Sequence, residues 1–223
     1  MQIRALLLDF DGLICDTERA ARRSWDELYR ELGLSFPSTL WAAMAGRPSG
    51  EKTALADLSD RLGSPIDAAT RERRQRRKLA LCELEPLRPG VAELTVATAR
   101  LGLTLAVVSS SPLDWVHAHL VRLGIRERFD ILVTGGDVAR PKPAPDLYRV
   151  ALARSGVPAA GALAFEDSPI GVQAARAAGV RCIAVPSSAG SRHDLQAADL
   201  VLDSLASLPL DAMVRRPHAT ATI

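Results

Sequence analysis

Cysteine, aromatic side chains and net charge are all scarce in this sequence, and each scarcity closes off a class of function. The three cysteines, Cys15, Cys82 and Cys182, are odd in number and far apart. They therefore form neither a disulfide framework nor a close-spaced metal site, and a reducing cytoplasm is their simplest setting. The formal charge is only +2, so the chain as a whole makes no electrostatic case for binding nucleic acid. Aromatics amount to 4% of residues and do not interleave with the basic ones, which argues against a single-strand-binding surface. Long apolar runs are missing too: none approaches the ~18 residues of a membrane span. The amino terminus, MQIRALLLDFDG, has an apolar run of a few residues followed by charge where a secretory signal would need its cleavage site.

What remains is an ordinary globular composition, 48% hydrophobic and 24% charged over 223 residues. A chain of that length buries roughly 70% of its unfolded surface and needs no covalent staples. Short apolar runs at Ile3–Leu8, Leu103–Val108, Ile131–Val133, Leu163–Phe165 and Cys182–Val185, with a weaker one at Leu200–Leu202, read as buried strands. Helical patterns lie between them. Val91, Leu94, Ala97, Thr98 and Leu101 share one face, as do Leu113, Val116, Leu120 and Leu123. Further helices are expected over Pro145–Ser155 and over Pro169–Ala178, the latter stopped by Gly179. Alternating strands and helices predict an α/β fold, a Rossmann-like parallel sheet with helices on both faces.

The stretch from about Asp16 to Glu85 breaks that rhythm. It is helical in pattern and highly charged, with Trp25, Leu28, Leu32 and Leu34 on one amphipathic face and Leu55, Leu58 and Leu62 on another. The sequence thus predicts residues 16–86 as a helical cap inserted after the first strand, with 1–15 and 87–212 forming the α/β core. Leu87-Arg-Pro-Gly90 makes the return turn, and 213–223 is a loosely ordered tail. The absence of a long apolar edge points to a monomer or weak dimer. Within the insertion, Arg71, Arg73, Arg74, Arg76, Arg77 and Lys78 form a basic run. It reads first as a solvated helix face, and alternatively as the source of one or two arginines that face a phosphorylated substrate.

Ligands of open parallel sheets bind outside the carboxyl ends of the strands. Those ends carry Asp9-Phe-Asp11-Gly12, Ser109-Ser110-Ser111, Arg140-Pro-Lys142-Pro-Ala-Pro-Asp146 and Glu166-Asp167-Ser168. Two carboxylate pairs, a hydroxyl cluster and a lysine on one rim suit phosphoryl transfer. Paired aspartates can hold a hard cation such as Mg²⁺, and a carboxylate can itself be the nucleophile. Positive charge is needed to bring that anion against a phosphate, and hydroxyl and backbone N–H groups can hold phosphoryl oxygens. Ser111 is expected to cap the following helix, and Asp146 to start the one after Pro145. His117, His119, His193 and His218 have no motif context and read as surface or structural. Cys15, Trp25 and Trp41 read as packing residues.

LLLDFDGLICDTE, VVSSS, PKPAPD and FEDSPIGVQAA resemble, in order, the four motifs of the haloacid dehalogenase-like superfamily, most closely its β-phosphoglucomutase-like branch of sugar-phosphate phosphatases and mutases. The likeness runs from about Ile3 to Ala206. It implies Asp9 as nucleophile and Asp11 as general acid and then base. It implies Asp9, Asp167 and the Asp11 carbonyl as Mg²⁺ ligands, with Glu166 supporting the metal through water. Ser109, Ser110 and Lys142 are implied as phosphate-binding groups, and Gly46 and Arg47 as cap residues that read the substrate.

Dehalogenases of this fold lack the second aspartate, and a phosphonate hydrolase would need a cap lysine that does not stand out here. β-Phosphoglucomutases carry a histidine that aligns with Ala21 and an arginine that aligns with Ser49. With both missing, the resemblance implies a phosphatase acting on a small phosphorylated metabolite, with a mutase as the alternative and Arg47 as a substitute arginine. A non-catalytic binding protein on the same fold is the remaining alternative, and the intact Asp9, Asp11, Lys142 and Asp167 set argues against it.

Overall fold

The computed structural model describes residues 2–44, 50–208 and 211. Gly46, Arg47, Ser49 and the tail 213–223 lie outside the described residues. Six parallel strands form one sheet in the order β3-β2-β1-β4-β5-β6. They are β1 (Ala5–Leu8), β2 (Thr104–Val108), β3 (Ile131–Val133), β4 (Ala162–Glu166), β5 (Arg181–Ala184) and β6 (Leu200–Val201). Each falls within or beside an apolar run of the sequence. Ends shift by a residue or two: β1 begins at Ala5 rather than Ile3, and β4 extends past its run to include Ala162 and Glu166.

Alternation along the central strand divides the core into two layers. Leu6 and Leu8 of β1 face one layer with Val91 and Leu94 of α5 (Val91–Arg100) and Val116 and Leu120 of α6 (Leu113–Arg122). Ala5 and Leu7 face the other, against Leu147, Tyr148 and Ala151 of α7 (Asp146–Ser155) and Val172, Ala174 and Ala175 of α8 (Pro169–Ala177). Each fully buried leucine contributes roughly 1.5–3 kcal/mol of hydrophobic stabilisation. Leu113, the first residue of α6, is an exception to the expected face: it is 54% exposed.

Among the described residues between β1 and α5 are four helices, α1 (Thr17–Glu31), α2 (Ser38–Met44), α3 (Gly50–Leu62) and α4 (Ala68–Glu83). They have a core of their own built from Trp25, Leu28, Tyr29, Trp41, Met44, Ala54 and Leu58. Leu32, Leu34 and Leu55 pack at its margin, whereas Leu62, at the end of its helix, is 38% exposed and takes no part. α1 begins where the Asp16 side chain accepts a hydrogen bond from the Arg19 N–H, satisfying an amide with no partner of its own in the helix.

The two crossings between sheet and helices are tied together. The Arg88 N–H donates to the Ile14 carbonyl at 3.0 Å, and the Arg88 guanidinium donates to the carbonyls of Gly12 and Pro186. Gly90 completes the return with φ +89°, and a Cβ there would meet the Ala206 nitrogen at 2.1 Å. No helix among the described residues is long and apolar enough to cross a membrane.

Candidate active site

Register brings the strand ends level. Leu8 pairs with Val107 on one side and with Phe165 on the other. Asp9 is therefore level with Val108 and Glu166, and Ser109 and Asp167 follow one residue beyond, where the strand order reverses on either side of β1. The Asp9 N–H still donates to the Phe165 carbonyl at 3.0 Å, which fixes the direction in which its side chain departs.

Asp9, Glu166 and Asp167 are buried and offer carboxylate oxygens within 4.8 Å of one another. Lys142, also buried, donates from Nζ to Asp9 Oδ1 at 2.5 Å, Glu166 Oε1 at 2.6 Å and the Val108 carbonyl at 2.7 Å. The Tyr148 hydroxyl donates to the same Glu166 oxygen, while Glu166 Oε2 has no hydrogen-bond partner among the described residues. Gly171 lets α8 pass over this carboxylate; a Cβ there would lie 1.8 Å from Oε2. Ser168 accepts from the Gly171 N–H at 3.2 Å and so starts α8 directly after Asp167. Gly12, at φ +82°, brings its backbone against Asp167, leaving 1.9 Å between a would-be Cβ and Oδ2.

Burial pushes the Asp9 carboxyl up against the pull of Lys142, and the neighbouring Glu166 and Asp11 push in the same direction. Burial likewise raises Asp167 well above the usual carboxylate range, reinforced by Asp9 and Glu18. Burial opposes the Lys142 charge, but Asp9 and Glu166 outweigh it and raise its pKa. Among the described residues, three buried carboxylates face one ammonium, which leaves the cluster short of positive charge. An all-oxygen donor set with that shortage fits a hard divalent cation such as Mg²⁺.

Asp11 faces elsewhere. Its Oδ1 accepts from Thr17 Oγ1 at 2.8 Å and Trp115 Nε1 at 3.0 Å, and its Oδ2 accepts from Ser111 Oγ at 2.6 Å and Ser109 Oγ at 3.4 Å. Ser111 is thus not the helix cap expected of it: α6 starts at Pro112 with no side-chain cap, and the Ser111 hydroxyl is turned to Asp11. Ser109 Oγ also accepts from the Ser111 N–H at 3.0 Å. Ser110 accepts from the Lys142 N–H at 3.3 Å and lines the cavity. Asp146 opens α7, as expected, and pairs with Arg140.

A cavity of about 650 Å³ opens above this cluster, between the strand ends and the inserted helices. Ala21, Arg22 and Trp25 of α1, Arg74 and Lys78 of α4, and Ser187 and Ser191 after β5 are among its walls. The basic run therefore divides. Arg73, Arg76 and Arg77 make exposed ion pairs with Glu31, Glu72 and Glu27, whereas Arg74 is buried, its guanidinium 4.1 Å from the Trp25 ring centroid. Trp25 and Trp41 are core residues that also wall the cavity. His119 is buried in edge contact with Trp115, a structural place. Burial pushes the Cys15 thiol up to about 11, which suits packing rather than nucleophilic chemistry. Thr17, Tyr148 and Trp115 were not singled out from sequence. A threonine directly after the capping Asp16 was the available signal for the first, and a tryptophan in the polar first turn of α6 for the last.

Residues 3–179 match the family model described as haloacid dehalogenase-like hydrolase. The chain belongs to that family. Among haloacid dehalogenase-like relatives it is 36% identical over 210 residues to the putative phosphatase YhcW of Bacillus subtilis, covering 93% of this chain and 94% of the relative. The solved structure of a CbbY variant from Rhodobacter sphaeroides in complex with xylulose-(1,5)bisphosphate is also similar. It has a TM-score of 0.72 at 32% identity and covers 95% of this chain and 99% of CbbY. A putative β-phosphoglucomutase from Thermotoga maritima matches with a TM-score of 0.76 at 27% identity, over 92% of this chain and 95% of that one. The sheet, the helical insertion and the motif order are those expected of a haloacid dehalogenase-like enzyme of the β-phosphoglucomutase-like branch.

Proposed function

We propose that this enzyme is a Mg²⁺-dependent phosphatase that hydrolyses a small phosphorylated metabolite, a sugar or polyol phosphate, through an aspartyl-phosphate on Asp9. The observation that carries the reading is the convergence of Asp9, Glu166, Asp167 and Lys142 on one rim of the sheet, beneath a cavity with polar walls. Asp9, Asp167 and the Asp11 carbonyl would hold Mg²⁺, with Glu166 behind them. Bound there, Mg²⁺ would supply positive charge to offset the repulsion between the phosphoryl group and the nucleophilic carboxylate.

The chain's own residues do the rest. Lys142 holds Asp9 Oδ1 in place, fixing the carboxylate for attack on phosphorus, and offsets part of the cluster's charge. Ser109 and Ser110, with backbone N–H groups at the strand ends, receive phosphoryl oxygens. Asp11 gives its proton to the leaving ester oxygen and afterwards takes one from the water that attacks the phosphorylated Asp9. Residues 16–86 act as a cap whose seating excludes bulk water. Arg74, Lys78, Ser187 and Ser191 read the part of the substrate away from the phosphate. The bisphosphate held by CbbY is in keeping with a phosphorylated sugar.

The likeness to a putative β-phosphoglucomutase favours isomerisation as the second reading. Against it, Ala21 lines the cavity at the position where the mutases carry a histidine, so a methyl group stands where the extra proton-transfer group is needed. Phosphate release from a panel of phosphorylated metabolites, with Mg²⁺ and with chelator, alongside Asp9→Asn, tests the proposal. Release that needs Mg²⁺ and Asp9 supports it. Isomerisation of β-glucose 1-phosphate without release would replace it with the mutase.

A further inference from the structure

Asp11 is held by four hydrogen bonds that differ in one chemical respect. The indole N–H of Trp115 can only donate, whereas the hydroxyls of Ser109, Ser111 and Thr17 can turn and accept. A proton on Oδ1 would therefore meet the Trp115 N–H head-on at 3.0 Å. A proton on Oδ2 can instead be received by Ser111 Oγ at 2.6 Å.

We propose that Trp115 is a positioning residue for proton transfer: its N–H reserves Oδ1 of Asp11 as acceptor, so that the transferable proton is carried on Oδ2. This rests on the reading of Asp11 as general acid. In that step the ester P–O bond breaks and its electron pair stays on the ester oxygen. That oxygen takes the Oδ2 proton and leaves as an alcohol, Asp11 is left as a carboxylate, and Asp9 has formed the new O–P bond.

The placement of Trp115 gives it a second property. The residue belongs to α6, in the sheet layer, with its ring edge-on to His119 at 4.2 Å between centroids. Yet the ring packs against Ala20 of α1 and Leu81 and Cys82 of α4, and Lys78 Nζ lies 5.9 Å from its centroid. The indole that orients Asp11 is thus wedged against the inserted helices. Their seating and the orientation of the acid share one side chain.

Trp115→Phe keeps most of the ring and removes the N–H. The test compares kcat/KM for an alkyl ester, a sugar phosphate turned over by the wild type, with that for p-nitrophenyl phosphate. The aryl leaving group departs without a proton, so loss of acid orientation falls on the alkyl ester. The variant is expected to lose about 10- to 100-fold more kcat/KM on the alkyl substrate than on the aryl one, the equivalent of one hydrogen bond to a charged group. Equal losses on both, or none on either, overturn the role of Trp115 alone. A wild type that releases phosphate from no sugar phosphate and not from p-nitrophenyl phosphate overturns the phosphatase reading beneath it. A second measurement does not depend on how the variant folds. In ¹H–¹⁵N spectra of the wild type and Asp11→Ala, the indole N–H signal of Trp115 should move while those of Trp25 and Trp41 stay. A Trp115 signal unmoved by loss of Asp11 contradicts the proposal.

Discussion

Lys142 Nζ lies 2.5 Å from Asp9 Oδ1, although 133 positions separate the two residues in the chain. The contact is buried at both ends, and Lys142 also serves Glu166. Removing one member of a buried ion pair is far more damaging than removing a surface pair, because the partner is left charged and unsolvated. Lys142→Met should lower stability by about 3–5 kcal/mol, read as a fall in Tm. It should also lower kcat on the preferred phosphate ester by about 10²–10³-fold. A variant with unchanged kcat would remove Lys142 from the site's electrostatics.

Gly12 is tied to the metal reading through Asp167. Its φ of +82° is one that side chains rarely adopt, and an added methyl would overlap Asp167 Oδ2 at 1.9 Å. Gly12→Ala should therefore displace a ligand. The Mg²⁺ concentration for half-maximal activity should rise by about 10- to 100-fold, the range seen when a ligand's support is disturbed. A Mg²⁺ titration that overlays the wild type would show that Asp167 does not hold the ion.

The basic run makes a comparative prediction. Arg74→Met removes a buried guanidinium from the cavity wall and from the face of Trp25, and should raise KM for the preferred substrate. Arg76→Met removes an exposed i,i+4 pair with Glu72, and should change stability by no more than about 0.5 kcal/mol with kinetics intact. Equal kinetic effects of the two would mean that the run acts as a diffuse positive field.

Acid stability follows from Glu27. Hydrogen bonding by Arg77, against some burial and with help from Arg23, lowers its carboxyl from an ordinary 4.5 to about 2. A folded-state pKa below the unfolded one gives stability that is present in full above pH 4.5 and lost as pH falls toward about 2. Glu27→Gln should have a lower Tm than the wild type at neutral pH, and the gap should close across that window. A constant gap down to pH 2 would mean that the carboxylate contributes nothing through its charge.

The central strands β1 and β4 were legible because they are buried on both faces, so an unbroken apolar run such as Leu6-Leu7-Leu8 needs no periodicity to be read. The carboxylate cluster was legible because strand ends are where such a sheet collects its chemistry, and Asp9, Glu166 and Asp167 all follow strand residues directly or close a strand. Leu62 and Leu113 were misread for a common reason: a helical apolar period continues to the end of a helix whether or not anything lies opposite. The surroundings of Asp11 were illegible for a different one. Thr17 opens α1, whereas Ser111 and Trp115 lie at the start of α6 about a hundred residues on, and no local spacing encodes that all three reach Asp11. Ser111 follows the cap rule on paper, yet an acceptor 2.6 Å away outside its own helix wins its hydroxyl.

The most direct test of the account is to catch the phosphoryl group on Asp9. The enzyme is mixed with excess substrate and Mg²⁺, quenched in acid within one turnover, and reduced with borohydride, which converts an aspartyl-phosphate to homoserine. The account predicts that peptide mass spectrometry finds homoserine at position 9 and nowhere else, and that chelator or Asp9→Asn abolishes it. Phosphate released at the full rate with Asp9 never modified would contradict it.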